Sequence, residues 1–224
     1  MTGCGARARG RGVLIAAGTA VLMGTSWLAS PSKAAAEEGR TAETMSDEQR
    51  TDWFWGIIER SRAPDDHQEV QLQALSAELS KLPPTDIEAF GALFDRQLTE
   101  AYSWDLWGAA HIIMGGASDD GFKYFRAWLV SRGREVFEAS RANPDELAAL
   151  IPADYDQVPE FEPLAYVASE VWAEKTGRDV TEMPTQTDRI YADEPSGEPF
   201  DESSESLKRR YPRLWARFRE SPLG

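Results

Sequence analysis

Two adjacent aspartates in a glycine-rich turn are the residues whose types and spacing most invite chemistry: the stretch Met114–Gly133 reads MGGASDDGFKYFRAWLVSRG. A carboxylate pair can hold a cation or divide the work of a general acid and base. Successive residues on a helix point about 100° apart, so Asp119 and Asp120 do not easily reach one ion. The donor spacing of an EF-hand loop is missing. A structural reading accounts for every residue type in the stretch. Ser118 is a strong N-cap, and Asp119 and Asp120 fall in the first turn, where negative charge meets the positive end of the helix dipole. Gly115-Gly116 supplies a break that tolerates left-handed backbone. Phe122, Phe125 and Leu129 then give the helix an apolar stripe.

Asp105 and Arg126 are the next candidates. Asp105 stands among Trp104, Leu106 and Trp107, and Arg126 between Phe125 and Trp128. Neither charge belongs unpaired in an apolar environment. The sequence predicts that Arg126 pairs with Asp105, or with Asp119 or Asp120. Such a pair serves either as a buried clamp between two central helices or as the wall of a polar pocket. His111 follows Trp104 by seven residues and Trp107 by four, so the three share a helix face. It reads as a buried, hydrogen-bonded histidine, with proton transfer as the alternative role. Trp104, Trp107 and Trp128 read as core, or as the aromatic wall of a groove for a peptide or small ligand. His67 lies on a polar helix start and is expected to face solvent.

The totals remove many chemistries. The single cysteine, Cys4, excludes an internal disulfide framework and a cysteine zinc site. Two histidines, His67 and His111, leave no HExxH pair, and no metal site or cofactor is predicted. No phosphate-binding GxxxxGK[ST] loop and no GxSxG elbow occurs; Gly116–Gly121 is one residue too long for the latter. A formal charge of −14 disfavours nucleic acid as a partner. The basic stretch KRRYPRLWARFR at Lys208–Arg219 is an exception, expected to pack its apolar side and leave its charges solvated, or to meet an acidic partner or the chain's own acidic loop at Asp154–Glu162.

Eight tryptophans and a 42% hydrophobic content suffice to build a core around these residues. Trp53, Phe54, Ile57 and Ile58 predict a first helix capped at Thr51-Asp52 and closed at Ala63-Pro64. Leu72, Leu75, Leu79 and Leu82 predict a second, stopped by Pro83-Pro84. Thr85-Asp-Ile-Glu88 has the pattern of a capping box and opens a third. The fourth, from about Glu100 to Met114, is apolar nearly all round and should be buried on most sides. After the Ser118 helix, Asn143-Pro-Asp-Glu starts another. Leu164, Val167, Val171 and Trp172 mark a last long helix ending at Gly177. Arg178–Glu205 reads as a loosely ordered acidic segment before a short C-terminal helix around Leu207–Phe218. The fold class is all-α: a single compact multi-helix domain with a buried central helix pair.

The N-terminal stretch has Arg7, Arg9 and Arg11 ahead of an apolar run from Val13 to Ala29, then Ser32-Lys33-Ala34. This is the pattern of a signal peptide with a small-x-small cleavage site. Removing it makes the remainder more acidic and takes Cys4 away. The rival reading is a start at Met45, with the upstream residues a dispensable extension. The chain is exported in the first case and cytoplasmic in the second. The apolar run is short and interrupted by Gly18, Thr19, Gly24, Thr25 and Ser26, so no stable membrane anchor is expected. Boundaries follow: residues 1–36 leader or extension, 37–50 linker, 51–218 helical domain, 219–224 tail.

FWGIIERSR (Phe54–Arg62), AYSWDLWGAAHIIMGGASDDGFKYFRAWLVSRGREVFE (Ala101–Glu138), NPDELA (Asn143–Ala148) and YPRLWARF (Tyr211–Phe218) together resemble the bacterial domain of unknown function 4240 (DUF 4240) family. SDDGF-x-x-FR-x-WL is the most specific part. The resemblance implies a soluble bacterial domain, sometimes joined to WGR-type domains in regulator-like proteins, and usually cytoplasmic. It carries no assigned activity. It also implies a tyrosine where His111 stands and often a cysteine where Ala117 stands.

No complete catalytic constellation can be assembled from these residues. The first functional expectation is therefore a non-enzymatic protein-interaction or regulatory module with another protein as partner. An acidic inhibitor of a basic enzyme or toxin is one subtype. The second is an enzyme or small-ligand receptor with its site at the GGASDDGF turn, using His111, Asp119, Asp120 and Arg126.

Overall fold

Pro83-Pro84, the glycines after Met114 and Ser131, and Asn143 divide the apolar sequence into short helices, which must pack across one another to cover their stripes. The computed structural model describes residues 41–62, 67–184 and 194–224. Among them are ten α-helices and no strand. The helices are α1 (Asp47–Ser61), α2 (Gln68–Ser80), α3 (Pro84–Glu100), α4 (Trp104–Met114), α5 (Asp119–Ser131), α6 (Arg134–Ala142), α7 (Leu147–Leu150), α8 (Val167–Thr176), α9 (Ser204–Arg210) and α10 (Pro212–Phe218). One isolated bridge joins Ser103 to Ser196. The leader, the closing Ala63-Pro64 and residues 185–193 of the acidic segment lie outside the described residues.

The core is one cluster. Phe54, Ile57 and Ile58 of α1, Leu75 and Leu79 of α2, and Ile87, Phe90 and Phe94 of α3 meet Val171 and Trp172 of α8. Phe122, Phe125, Trp128 and Leu129 of α5 continue it, and Leu207, Tyr211, Leu214 and Phe218 of α9 and α10 close it over α4. Burying a side chain of this size stabilises by about 1.5–3 kcal/mol, so the spacing of these residues decides the fold.

Several predicted boundaries move. The N-cap of α1 is Ser46, in a capping box with Gln49, a turn ahead of Thr51-Asp52. The box predicted at Thr85–Glu88 does not form. α3 starts at Pro84, whose fixed φ suits a first helical position. Its two acids are committed elsewhere: Asp86 accepts from the Ala42 amide at 3.0 Å, and Glu88 from Trp172 Nε1 at 2.7 Å. α4 starts at Trp104, capped by Ser103, because α3 runs on to Glu100 and the chain turns at Ala101–Ser103. Residues 42–50, read as linker, hold buried Ala42 and the start of α1. The 219–224 tail runs along α4, with Leu223 donating its amide to the Ile113 carbonyl at 2.7 Å. Ser118 caps α5, and Gly115 and Gly177 end α4 and α8 with φ of 73° and 69°, as the sequence predicts.

Candidate functional site

α4 places Trp104, Trp107 and His111 along one edge that is neither fully buried nor free. Trp104 and Trp107 stack, with ring centroids 5.2 Å apart and planes at 10°. Trp107 stacks in turn on Phe122 of α5 at 4.9 Å and 14°. The run continues through Phe125 to Trp128, whose Nε1 donates to the Tyr155 hydroxyl at 2.7 Å. Trp104 and Trp107 thus lie at the half-exposed end of an aromatic column and Trp128 at its buried end. The three do not form one wall. The Trp107 indole donates to the Ala117 carbonyl at 3.0 Å, which pins the Gly115-Gly116 turn to α4.

His111 is half-buried against the Phe200 ring, 5.5 Å between centroids, and Phe200 also meets Trp104 edge-on. The segment after residue 193 folds back to make these contacts, anchored by Trp104 N–H to the Ser196 carbonyl and Ser196 N–H to the Tyr102 carbonyl. The sequence offered no periodic signal for this return, and Phe200 is a site neighbour it did not identify.

The predicted clamp is replaced by two separate arrangements. Asp105 is exposed, and its carboxylate accepts from Arg210 of α9 through Nε at 2.9 Å and Nη2 at 2.5 Å. The physical reason is the later start of α4. Asp105 falls in the first turn, at the rim, where a carboxylate suits the helix end and remains near water. Arg126 lies between rings instead: its guanidinium is 4.6 Å from the Tyr102 centroid and 4.9 Å from that of Phe122. Its Nη1 donates to the Leu98 carbonyl at 2.7 Å, in the last turn of α3.

Ser118 Oγ accepts from the Gly121 amide at 3.1 Å, and Asp119 and Asp120 are exposed in the first turn of α5. The acidic loop before α8 packs here. Phe161 N–H donates to the Tyr124 carbonyl at 3.0 Å, and Glu160 lies so close to Gly121 that a Cβ there would come within 2.8 Å of its Oε1. Burial first, and the nearby charge of Glu162 second, raise the Glu160 carboxyl above its ordinary range. Glu162 accepts from the Tyr124 hydroxyl at 2.9 Å, and hydrogen bonds to Tyr166 and then Glu162 hold that phenol well above the usual tyrosine range. Lys123 Nζ sits 5.3 Å from the Tyr166 ring centroid. The result is an acidic face at the start of α5, edged by two tyrosines. Glu160 and Glu162 join Asp119 and Asp120 only through folding, so sequence spacing did not group them.

Among the described residues, no three His, Cys, Asp or Glu side chains are placed to hold a metal ion. No described helix is long and apolar enough to cross a membrane. Residues 49–174, more than half of the chain, match the sequence pattern of a family described as Protein of unknown function (DUF4240). No curated protein and no solved structure matches the chain.

Proposed function

We propose that this chain, which belongs to the DUF4240 family of proteins of unknown function, is a protein-interaction module that engages a basic surface of a partner protein through the carboxylate face at the start of α5. The observation that carries this reading is the packing of Glu160 against Gly121, which brings Glu160 and its neighbour Glu162 to the start of α5, where Asp119 and Asp120 are exposed. Carboxylates gathered on one face attract a cationic surface and gain from its arrival. The remaining candidate polar groups have structural work. Ser118 caps α5, Arg126 bonds α3, Asp105 pairs with Arg210, and His111 rests on Phe200. The competing reading, catalysis or ligand binding at the GGASDDGF turn, needs His111 and Arg126 aimed at that turn. Among the described residues, His111 contacts Phe200 and Arg126 contacts Tyr102, Phe122 and Leu98.

Affinity purification from the host at low salt, in parallel with the variant Asp119→Asn/Asp120→Asn/Glu160→Gln/Glu162→Gln, tests the proposal. The expected result is a co-purifying protein that the variant loses. Its measured Kd for the wild-type chain should weaken about tenfold or more as ionic strength rises from roughly 0.05 to 0.3 M. A partner held equally by the variant, or with a salt-independent Kd, overturns it.

A further inference from the structure

We infer that the short turn at Ala42–Thr44 is an obligatory part of the folded domain, with Asp86 as its receptor, so that the functional chain retains Ala42 and neither translation nor processing starts it at Met45. The turn is closed on itself: Thr44 donates to the Thr41 carbonyl through its amide at 3.1 Å and its hydroxyl at 2.9 Å, and Met45 N–H donates to the Ala42 carbonyl at 3.3 Å. It is also docked. Ala42 is 2% exposed and belongs to the core cluster, and its amide donates to Asp86 Oδ1 at 3.0 Å. Asp86 is 5% exposed.

A carboxylate buried to this degree needs hydrogen-bond donors in place of water. The end of α3 supplies a favourable dipole, but its N-cap, Pro83, has no amide to give and the Asp86 amide is already committed to the Pro83 carbonyl. The Ala42 amide comes from outside the helix and completes the site. A chain beginning at Met45 keeps the Ser46–Gln49 capping box of α1 but loses the buried methyl group and the donor together. A chain cut after Ala34 keeps both. The two start sites considered for this sequence are therefore inequivalent: one preserves the Asp86 contact and the other removes both that donor and the turn packed on α3.

Substitution in the full chain tests this. Ala42→Pro deletes the N–H and directs the ring Cδ at the Asp86 carboxylate, while the extended Thr41, at φ −81° and ψ 152°, accepts a following proline. Ala42→Pro should lower the melting temperature by roughly 5 °C, and Ala42→Gly, which keeps the donor, by less. In an Asp86→Ala background, Ala42→Pro should cost nothing further. A melting temperature unchanged by Ala42→Pro, or a loss equally large without the Asp86 carboxylate, overturns the inference. Mass spectrometry of the mature N-terminus from the native host is the second readout. A first residue at or before Ala42 supports it. A folded chain that begins at Met45 or Ser46 and melts with the longer form overturns it.

Discussion

Two aspartates differ in what their loss should do, and burial decides between them. Asp105 draws attention in the sequence because it is flanked by tryptophans, yet its side chain is 53% exposed and its partner Arg210 27% exposed. An ion pair near water contributes little, so Asp105→Ala should change stability by no more than about 1 kcal/mol in urea unfolding. Asp145 is inconspicuous inside Asn143-Pro-Asp-Glu, yet it is 7% exposed and accepts from the amides of Arg213, at 3.0 Å and 3.1 Å, and of Leu214 at 2.9 Å. Those amides sit at the start of α10, where no intrahelical acceptor exists for them. Asp145→Ala should cost about 2–3 kcal/mol, because it strands buried donors as well as losing a cap. Equal losses from the two variants, measured by the same unfolding curves, would count against this use of the charges.

The same logic organises the elements. Cations close the C-terminal ends of helices: Arg126 on the Leu98 carbonyl of α3, Lys175 on that of Ser80 in α2, and Arg217 on the carbonyls of Ala148, Ile151 and Pro152 around the end of α7. Carboxylates close N-terminal ones, as Asp145 does for α10. The basic C-terminal stretch is thus not simply solvated: Arg210, Arg213 and Arg217 are spent on Asp105, Glu146 and the α7 carbonyls. Legibility in the sequence divides along this line. The Ser118 cap, the Gly115 and Gly177 termini, and the apolar stripes of α1, α3 and α5 were readable, because each depends on residues within a turn of one another. The partners of Asp105, Arg126, Asp86 and Glu160 were not, since they lie far along the chain and depend on how helices cross. One element-scale prediction follows from the contact of α4 with Tyr211. A Cβ on Gly108 would overlap the Tyr211 hydroxyl, which donates to the Asp105 carbonyl at 3.0 Å. Gly108→Ala should destabilise by about 1–3 kcal/mol. The cost should shrink in a Tyr211→Phe background, where the overlapping oxygen is gone; additive losses in thermal melts would show that α4 and α10 do not compete for that space.

At the scale of the whole molecule, the family pattern at residues 49–174 is shorter than the body that folds. Leu207, Tyr211, Leu214 and Phe218 are each under 5% exposed, and they cover α4 from outside the matched region. Leu223 extends the cover along the same helix through its bond to Ile113. Without this arm, the face of α4 around Gly108 and Ile113 would lose its cover. Four large side chains at about 1.5–3 kcal/mol each amount to as much as the net stability of an ordinary domain, about 5–15 kcal/mol. A chain ending at Ser203 should therefore lose its cooperative thermal transition and bind a hydrophobic dye while keeping much of its helical circular dichroism. Adding residues 204–224 back as a separate peptide should restore a transition whose midpoint rises with peptide concentration, since the arm then acts as a ligand of the folded form. A truncated chain that melts cooperatively near the full-length temperature would place the arm outside the stable unit, and α4 would then have to be covered by other means.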